Sequence, residues 1–232
     1  MNGHYAIAID GPSGAGKSTL ARAAAKRFGF IYVDTGAIYR TVGLAAYRAG
    51  VDRRDEPAVQ ALLPQLQISM AYSGTGEQHM FLNGEDVTAL IREPEISICA
   101  SDVAALPSVR VFLMELQRRM ARENSVIMDG RDIGTVVLPD AELKIFLTAS
   151  AQARARRRLL ELEQKGTDAS FEEVLRDIEY RDEQDSRRAA APLKKAEDAV
   201  VVDTSELDFA ESLELIAELI CRRLGIAAAE EK

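Results

Sequence analysis

The sequence predicts an α/β fold in which helices cover both faces of a doubly wound, five-stranded parallel sheet. Short apolar runs alternate with segments of helical period along the chain. Several of these runs are rich in isoleucine and valine, as strands buried on both faces should be. The chain has 232 residues, 47% of them apolar, which is enough to bury the core of one domain, with or without insertions.

The predicted elements follow these patterns in order. Strands are expected at residues 5–9, 30–33, 125–128, 143–147 and 199–202. Helices are expected at residues 17–28, 37–49, 108–123, 151–165 and 206–224. Residues 66–92 break the alternation with two β-type runs around a Ser-Gly-Thr-Gly turn, and predict a small antiparallel insert beside the main sheet. Residues 180–195 also break the alternation, because they are dense in charged side chains. The tail 227–232 is expected to fray.

The composition excludes several classes of function. A formal net charge of -8 argues against a surface that binds nucleic acid. Cys99 and Cys221 lie far apart and the chain has only two histidines, which disfavours a zinc cage or a cysteine nucleophile with a histidine base. No leader pattern is found and no window approaches 18 apolar residues. We therefore expect a cytoplasmic protein with no membrane partner.

A glycine-rich motif follows the first predicted strand. Residues 11–18 match the phosphate-binding pattern G-x-x-x-x-G-K-[ST]. The glycines let successive main-chain N–H groups turn toward phosphates, and the next helix points its positive dipole end at the same anion. Lys17 is expected to reach the terminal phosphates, and the Ser18 hydroxyl to ligate Mg²⁺. The motif predicts a nucleoside triphosphate, here ATP, held by Gly11, Pro12, Ser13, Gly14, Ala15, Gly16, Lys17, Ser18 and Thr19.

Polar residues also follow other predicted strands. Thr35 is expected to cap the next helix and Arg40 to meet a phosphate, although a plain cap by Asp34 or Thr35, with Arg40 paired on the surface, explains the pattern equally well. Asp129 ends an apolar strand, where a carboxylate that orients Mg²⁺ is expected, and Asp10 is the alternative. Residues 131 and 132, an arginine and an aspartate, either face the same pocket or simply neutralise each other.

Arginines concentrate in two segments of this acidic chain. Residues 154–158 have acidic side chains within reach, which favours a solvated helix face, with Arg157 as the member expected to contact ATP. Arg181, Arg187 and Arg188 favour a mobile lid over the triphosphate instead. Planar guanidinium groups stabilise the charge that spreads over phosphoryl oxygens, and a lid excludes competing water.

These segments together resemble the bacterial cytidylate kinases, a branch of the nucleoside monophosphate kinases, over nearly the whole chain. The resemblance rests on residues 9–17, 36–40, 129–137 and 191–193. It implies a P-loop kinase-type fold within a single domain that spans residues 1–232. The implied parts are a core (1–62, 93–150 and 195–226), a monophosphate-binding insert of about 63–92 and a lid of about 166–194.

The resemblance also implies the roles of individual residues. The CMP contacts would be Thr35, Tyr39, Arg40, Ser101, Arg110, Arg131, Asp132, Arg181 and Asp185. Arg40 and Arg131 would hold the phosphate of CMP. Arg181 and Asp185 would contact the sugar hydroxyls. Catalysis would rest on Lys17, Arg131 and Arg188. The chain departs from the family at Thr35, where serine is frequent, and at Gln184, where an arginine can stand.

The expected reaction moves the terminal phosphoryl group of Mg²⁺-bound ATP to CMP or dCMP, without a covalent enzyme intermediate, in a monomer. The Asp132 carboxylate would accept from the cytosine amino group while Arg110 and Ser101 donate to the ring acceptors. One alternative is a kinase of the same fold for UMP, AMP or shikimate. Another is a nucleotide-gated switch, which the absence of an N-K-x-D run disfavours.

Overall fold

The computed structural model describes residues 3–74, 76–164, 166–187 and 191–228. The strands in chain order are β1 (Ala6–Asp10), β2 (Ile31–Asp34), β3 (Ile68–Tyr72), β4 (Gln78–Leu82), β5 (Glu85–Asp86), β6 (Val126–Gly130), β7 (Leu143–Thr148) and β8 (Val200–Asp203). The α-helices are α1 (Lys17–Phe28), α2 (Thr35–Arg48), α3 (Glu56–Leu62), α4 (Pro94–Ala104), α5 (Pro107–Glu123), α6 (Ala151–Gln164), α7 (Phe171–Arg187) and α8 (Phe209–Leu224).

Five strands form the main sheet, in the order β2-β6-β1-β7-β8, and all of its pairs are parallel. The predicted fold class is therefore confirmed, with each of the five predicted strands within two residues of its observed bounds. Asp34 lies opposite Asp129 in the register of β2 and β6, and Asp10 lies opposite Gly130 in that of β1 and β6. The carboxyl ends of three neighbouring strands thus bring three aspartates to one edge.

The hydrophobic core divides between the two faces of this sheet. Ala8, Val33 and Met128 belong to a cluster that packs with α2, α4 and α5. Ile9 and Ile127 belong to the opposite cluster, with α1 and α8. Because alternate residues of one strand enter opposite clusters, both faces require apolar side chains. This explains why β1, β2 and β6 are continuous apolar runs in the sequence.

The predicted antiparallel insert is confirmed as the three-stranded sheet β3-β4-β5. It lies against the main sheet's edge strand, since the Asp34 main-chain N–H donates to Gln78 Oε1 at 2.8 Å. Met80 and Leu82 of β4 are buried in the larger core cluster. The insert is therefore packed onto the end of β2, next to the aspartates at the strand ends.

Three helices have no counterpart among the predicted ones. The helix α3 is only seven residues long, α4 begins directly at Pro94, and α7 lies in the charged region. The buried residues of α7 are few, namely Val174, Ile178 and Asp185. A five-residue π-helical turn, Ile133–Val137, also follows β6. In the described part of the chain no single helix is long and apolar enough to cross a membrane; α4 and α5 reach that length only jointly, across a 100° bend.

Candidate active site

The glycine-rich loop is built between β1 and α1. Gly11 has φ +152°, and a Cβ there would lie 1.9 Å from the Leu147 carbonyl oxygen. Gly14 and Gly16 also have positive φ, of 75° and 85°. Only glycine fits these positions without strain. Gly16 is the N-cap of α1, so the first amides of that helix have no capping side chain and remain available to an anion.

Lys17 lies at the centre of this loop, 5% exposed. Its Nζ donates to the Pro12 carbonyl oxygen at 2.7 Å. Burial, together with the nearby charge of Arg131, lowers the pKa of the Lys17 ammonium group to about 7, although Asp129 and Asp10 oppose the shift. A bound triphosphate would place negative charge beside this group and favour its charged, ammonium form.

Asp129 and Ser18 meet beside the lysine. The Ser18 hydroxyl donates to Asp129 Oδ2 at 2.7 Å, and the Tyr32 hydroxyl donates to Oδ1 at 2.9 Å. Burial and the charge of Asp34 raise the pKa of the Asp129 carboxyl. A hydroxyl and a carboxylate are hard oxygen donors, which fit Mg²⁺. Residues 3–74, 76–164, 166–187 and 191–228 contain no group of three or more histidine, cysteine, aspartate or glutamate side chains that could hold a metal ion.

Asp10 serves a different purpose. Its two carboxylate oxygens accept the main-chain N–H groups of Ile133 and Gly134, at 2.8 and 2.7 Å. Burial raises the pKa of Asp10 to about 6, although these two hydrogen bonds lower it. Asp10 therefore fixes the π-helical turn after β6, whereas Asp129 contacts the Ser18 hydroxyl.

The junction of β2 and α2 gathers two arginines on one aspartate. Asp34 Oδ1 accepts the Ala37 main-chain N–H at 2.8 Å, so Asp34 is the N-cap of α2. The expectation that Thr35 caps this helix is wrong: its hydroxyl donates to the Asp129 carbonyl oxygen at 2.6 Å. Arg40 and Arg92 pair with Asp34 Oδ2 at 3.0 and 2.9 Å.

Electrostatics favour the charged forms at this junction. Burial by itself would raise the pKa of Asp34, but the charges of Arg40 and Arg92 outweigh it and hold that pKa below its usual range. The buried Arg40 Nε has no hydrogen-bond partner among the described residues. A buried donor without a partner is costly, so this atom is available for an incoming anion.

Arg110 and Asp132 form a buried ion pair, each side chain only 7% exposed. Arg110 Nη1 also donates to the Ala104 carbonyl oxygen at 3.2 Å, and the Arg110 guanidinium carbon lies 5.6 Å from the centre of the Tyr39 ring. Ser101, on α4, lines the same cavity. The pair presents a carboxylate and a guanidinium side by side, which suits a base edge with both donors and acceptors.

The helix α7 supplies another wall of the site. Asp185 accepts from Arg131 Nε at 2.6 Å, which connects this helix to the end of β6. Arg181 and Gln184 line the cavity on the same side. Arg188 lies outside the described residues.

The arginines of α6 differ in their environments, and the expectation of one solvated face is wrong for Arg154. Its side chain is 5% exposed and pairs with Asp182 at 2.6 Å. Arg157 Nη1 donates to Thr204 Oγ1 at 3.1 Å, where α6 meets the end of β8. Arg158, paired with Glu161 at 2.9 Å, has the expected exposed ion pair.

One cavity of about 1540 Å³ joins these features. The predicted site residues that line it are Ser13, Gly14, Ala15, Gly16, Lys17, Ser18, Thr19, Thr35, Tyr39, Arg40, Ser101, Arg110, Asp129, Arg131, Asp132, Arg157, Arg181 and Asp185. Gly11 and Pro12 do not line it. Sequence reasoning missed Arg92, which also lines the cavity. Arg92 belongs to no recognisable motif, and only its position after the insert hinted at a role.

The family model and the relatives that match this chain belong to the same family. A family model described as Cytidylate kinase matches residues 7–222. The chain is 49% identical to a cytidylate kinase of Pelotomaculum thermopropionicum, over 99% of this chain and 100% of the relative. It is 50% identical to a cytidylate kinase of Carboxydothermus hydrogenoformans, over 94% of this chain and 97% of that one. A solved structure of an uncharacterized protein from Eubacterium ventriosum shares the fold, with 14% identity, a TM-score of 0.50, and coverage of 95% and 100%.

Proposed function

Because this chain belongs to the cytidylate kinase family, we propose that it transfers the γ-phosphoryl group of ATP to CMP or dCMP, which yields ADP and the corresponding diphosphate. The observation that carries this proposal is the single cavity between the glycine-rich loop and the Arg110–Asp132 pair. Two nucleotides bound at these places would meet with their phosphates between them. Transfer without a stable intermediate needs such a shared space.

ATP would bind with its phosphates in the glycine-rich loop. The amides at the start of α1 and the Lys17 ammonium group would meet the β- and γ-phosphates. Arg157 donates to Thr204 Oγ1 and lines the cavity together with Thr204 and Leu207, which supports a role for it in binding the adenosine half of ATP. Main-chain donors do most of this binding.

CMP would bind with its base against Arg110 and Asp132. The Asp132 carboxylate would accept from the cytosine amino group, and Arg110 and Ser101 would donate to the ring nitrogen and carbonyl. Uracil has a carbonyl where cytosine has the amino group, so the carboxylate would face an acceptor. Such a mismatch costs about 1–3 kcal/mol, which is a tenfold to hundredfold preference for CMP.

The CMP phosphate would lie between Arg40, Arg92 and Arg131. Arg40 has a buried donor without a partner among the described residues, and both arginines on Asp34 are oriented by that carboxylate. Arg181 and Asp185 of α7 would meet the sugar hydroxyls.

Catalysis would consist of alignment and charge stabilisation. The attacking group is a phosphate oxygen that is largely ionised at neutral pH, so no strong general base is required. Lys17, Arg131 and Arg188 would stabilise charge on the transferred group. Ser18 and Asp129 would hold Mg²⁺, which neutralises charge on the β- and γ-phosphates when bound. We further propose that the enzyme folds as one domain and acts as a monomer in the cytoplasm, where Cys99 and Cys221 would stay free as they are here.

The test is a comparison of acceptors at saturating MgATP. Initial rates of ADP formation are measured with CMP, dCMP, UMP and AMP, with a no-acceptor control. We expect CMP to be the best or joint-best acceptor, with UMP at least tenfold poorer in kcat/KM. A higher kcat/KM for UMP or AMP would refute the proposal. ADP formation that no acceptor stimulates would instead favour a nucleotide-gated switch.

A further inference from the structure

Arg154 is a buried arginine that the proposed reaction does not use. Its Nε donates to the Ala149 carbonyl oxygen at 2.9 Å, and its Nη1 donates to the Ser13 carbonyl oxygen at 2.9 Å. Its two terminal nitrogens also bond both carboxylate oxygens of Asp182, at 3.0 and 2.6 Å. One guanidinium group therefore joins the glycine-rich loop, the segment before α6, and α7.

We propose that Arg154 is a positioning residue that fixes the glycine-rich loop and ties it to α7 through Asp182. The triphosphate site and the wall that faces the acceptor would then be set as one unit. The part of this inference that concerns the acceptor site rests on the proposed function. The part that concerns ATP binding rests only on the geometry of the glycine-rich loop.

The loop and α7 are in contact around this arginine. A Cβ built on Gly14 would lie 3.4 Å from Arg154 Cβ and 3.9 Å from Ile178 Cδ1. Ile178, Asp182 and Asp185 follow each other at intervals of four and three residues, which places them on one face of α7. Asp185 in turn pairs with Arg131 at the end of β6. The inner face of α7 is thus held both to the loop and to the sheet.

Only arginine can make this set of bonds. Burying a charge is unfavourable unless all of its donors are paired, and here all three guanidinium nitrogens donate. The planar fork matches a carboxylate on one side and carbonyl oxygens on the other, whereas a lysine ammonium group is a single point donor. Arg158, one turn further along α6, is 47% exposed and, among the described residues, pairs with Glu161 alone. It is therefore a matched control on the same helix.

The experiment measures the dissociation constant of the β,γ-imido analogue of ATP, with Mg²⁺ and without acceptor, by calorimetry on the full chain. The variants are Arg154→Lys, Asp182→Asn, the double variant, and Arg158→Lys as control. We expect the dissociation constant to rise at least tenfold in Arg154→Lys and at least threefold in Asp182→Asn. The control should stay within twofold of wild type. A role in stability alone would lower the fraction of binding-competent protein and leave the dissociation constant unchanged.

The double variant tests whether the two residues act together. If Arg154 works through Asp182, the double variant should bind the analogue within twofold of Arg154→Lys, whereas independent roles would multiply the two losses and overturn the link. Unchanged affinity in Arg154→Lys would overturn the positioning role. If that variant does not fold, Asp182→Asn decides: a threefold loss supports the proposal and an unchanged constant overturns it. A wild-type chain that binds the analogue but never phosphorylates CMP would refute the proposed function alone.

Discussion

Lys17 is a buried ammonium group that donates to a carbonyl of its own loop and has a lowered pKa. Near pH 7 the empty site therefore holds a mixture of charged and neutral lysine. Triphosphate oxygens would favour the charged form and raise this pKa again. Nucleotide binding and protonation of Lys17 are then linked, and ATP affinity should weaken as the pH rises above about 7.

This linkage predicts proton uptake when MgATP binds. Because the pKa of Lys17 is lowered to about 7 in the free protein, we expect a partial uptake near pH 7 that increases toward one proton as the pH rises above it. Calorimetry in buffers of different ionisation enthalpy measures it. Lys17→Ala should abolish the uptake and lower turnover by on the order of 10²–10³, with CMP binding nearly intact. Uptake that persists in that variant, or unchanged turnover, would contradict the role.

Asp132 gives a prediction about the choice of acceptor. An asparagine there can turn an amide N–H₂ toward the uracil carbonyl, so Asp132→Asn should reduce the CMP-to-UMP ratio of kcat/KM by about tenfold or more. Asp102 lines the same cavity and pairs with Arg54 at 3.1 Å. The control Asp102→Asn should leave the ratio unchanged. If the CMP-to-UMP ratio of kcat/KM is the same in wild type and Asp132→Asn, Asp132 does not select the base.

At the scale of elements, the β2–α2 junction combines two tasks in one carboxylate. Asp34 caps α2 and also orients Arg40 and Arg92 toward the cavity. Asp55 caps α3 by the same kind of bond, to the Ala58 main-chain N–H at 3.2 Å, at an exposed place outside the cavity. The two helices therefore offer a matched pair of caps, of which only one serves the site.

We predict that Asp34→Ala lowers the free energy of unfolding by about 1–2 kcal/mol, as the loss of a cap does, and also raises the KM for CMP at least tenfold. Asp55→Ala should lose about 1 kcal/mol of stability with no change in KM. Asp34→Asn separates the tasks, because an asparagine still caps the helix but no longer attracts the arginines. It should keep most of the stability and still raise the KM. Denaturant unfolding measures the stability, and steady-state kinetics with CMP measure the KM. If Asp34→Ala leaves the KM unchanged, as Asp55→Ala should, Asp34 has no role in CMP binding.

The sequence predicts some of these elements far better than others. The strands β1, β2 and β6 place apolar residues in both core clusters and are bounded by polar residues, so their positions follow from these apolar runs alone. The helix α7 shows a weak signal, because its buried face includes Asp185 rather than only apolar residues. The predicted start of α8 at residue 206 lies three residues too early, because the helix begins after Asp208, whose side chain forms a capping box with Glu211.

Ion pairs that assemble the site are harder to predict than the motifs. Arg92 lies 58 residues from its partner Asp34, and Arg131 lies 54 residues from Asp185. Nothing in a single sequence says which distant opposite charges will meet, because that depends on how helices pack over the sheet. The glycine-rich loop was predictable for the opposite reason: its conformation depends on local main-chain geometry, which the glycines specify.

At the scale of the molecule, an acidic chain concentrates cationic groups around one cavity. The formal net charge is -8, yet Lys17, Arg40, Arg92, Arg131 and Arg181 all line that cavity. The strand order places the carboxyl ends of β1, β2 and β6 side by side, so the glycine-rich loop and the Arg110–Asp132 pair open into the same space. Eight carboxylates line this cavity beside eight lysine and arginine side chains, so it lacks the negative excess of the whole chain and can admit two anionic substrates.

A continuous cavity predicts that one molecule can occupy both nucleotide sites. An adenosine joined to a cytidine through five phosphates should bind at least about 100-fold more tightly than ATP or CMP alone, because the second half binds at high effective concentration. It should inhibit competitively against both substrates in steady-state kinetics. The matched control is the same compound with adenosine in place of cytidine. It should lose most of the gain in affinity, because its second base does not fit the site at Asp132. Competition against ATP only, with affinity no better than that of ATP, would show that the two sites do not share one space.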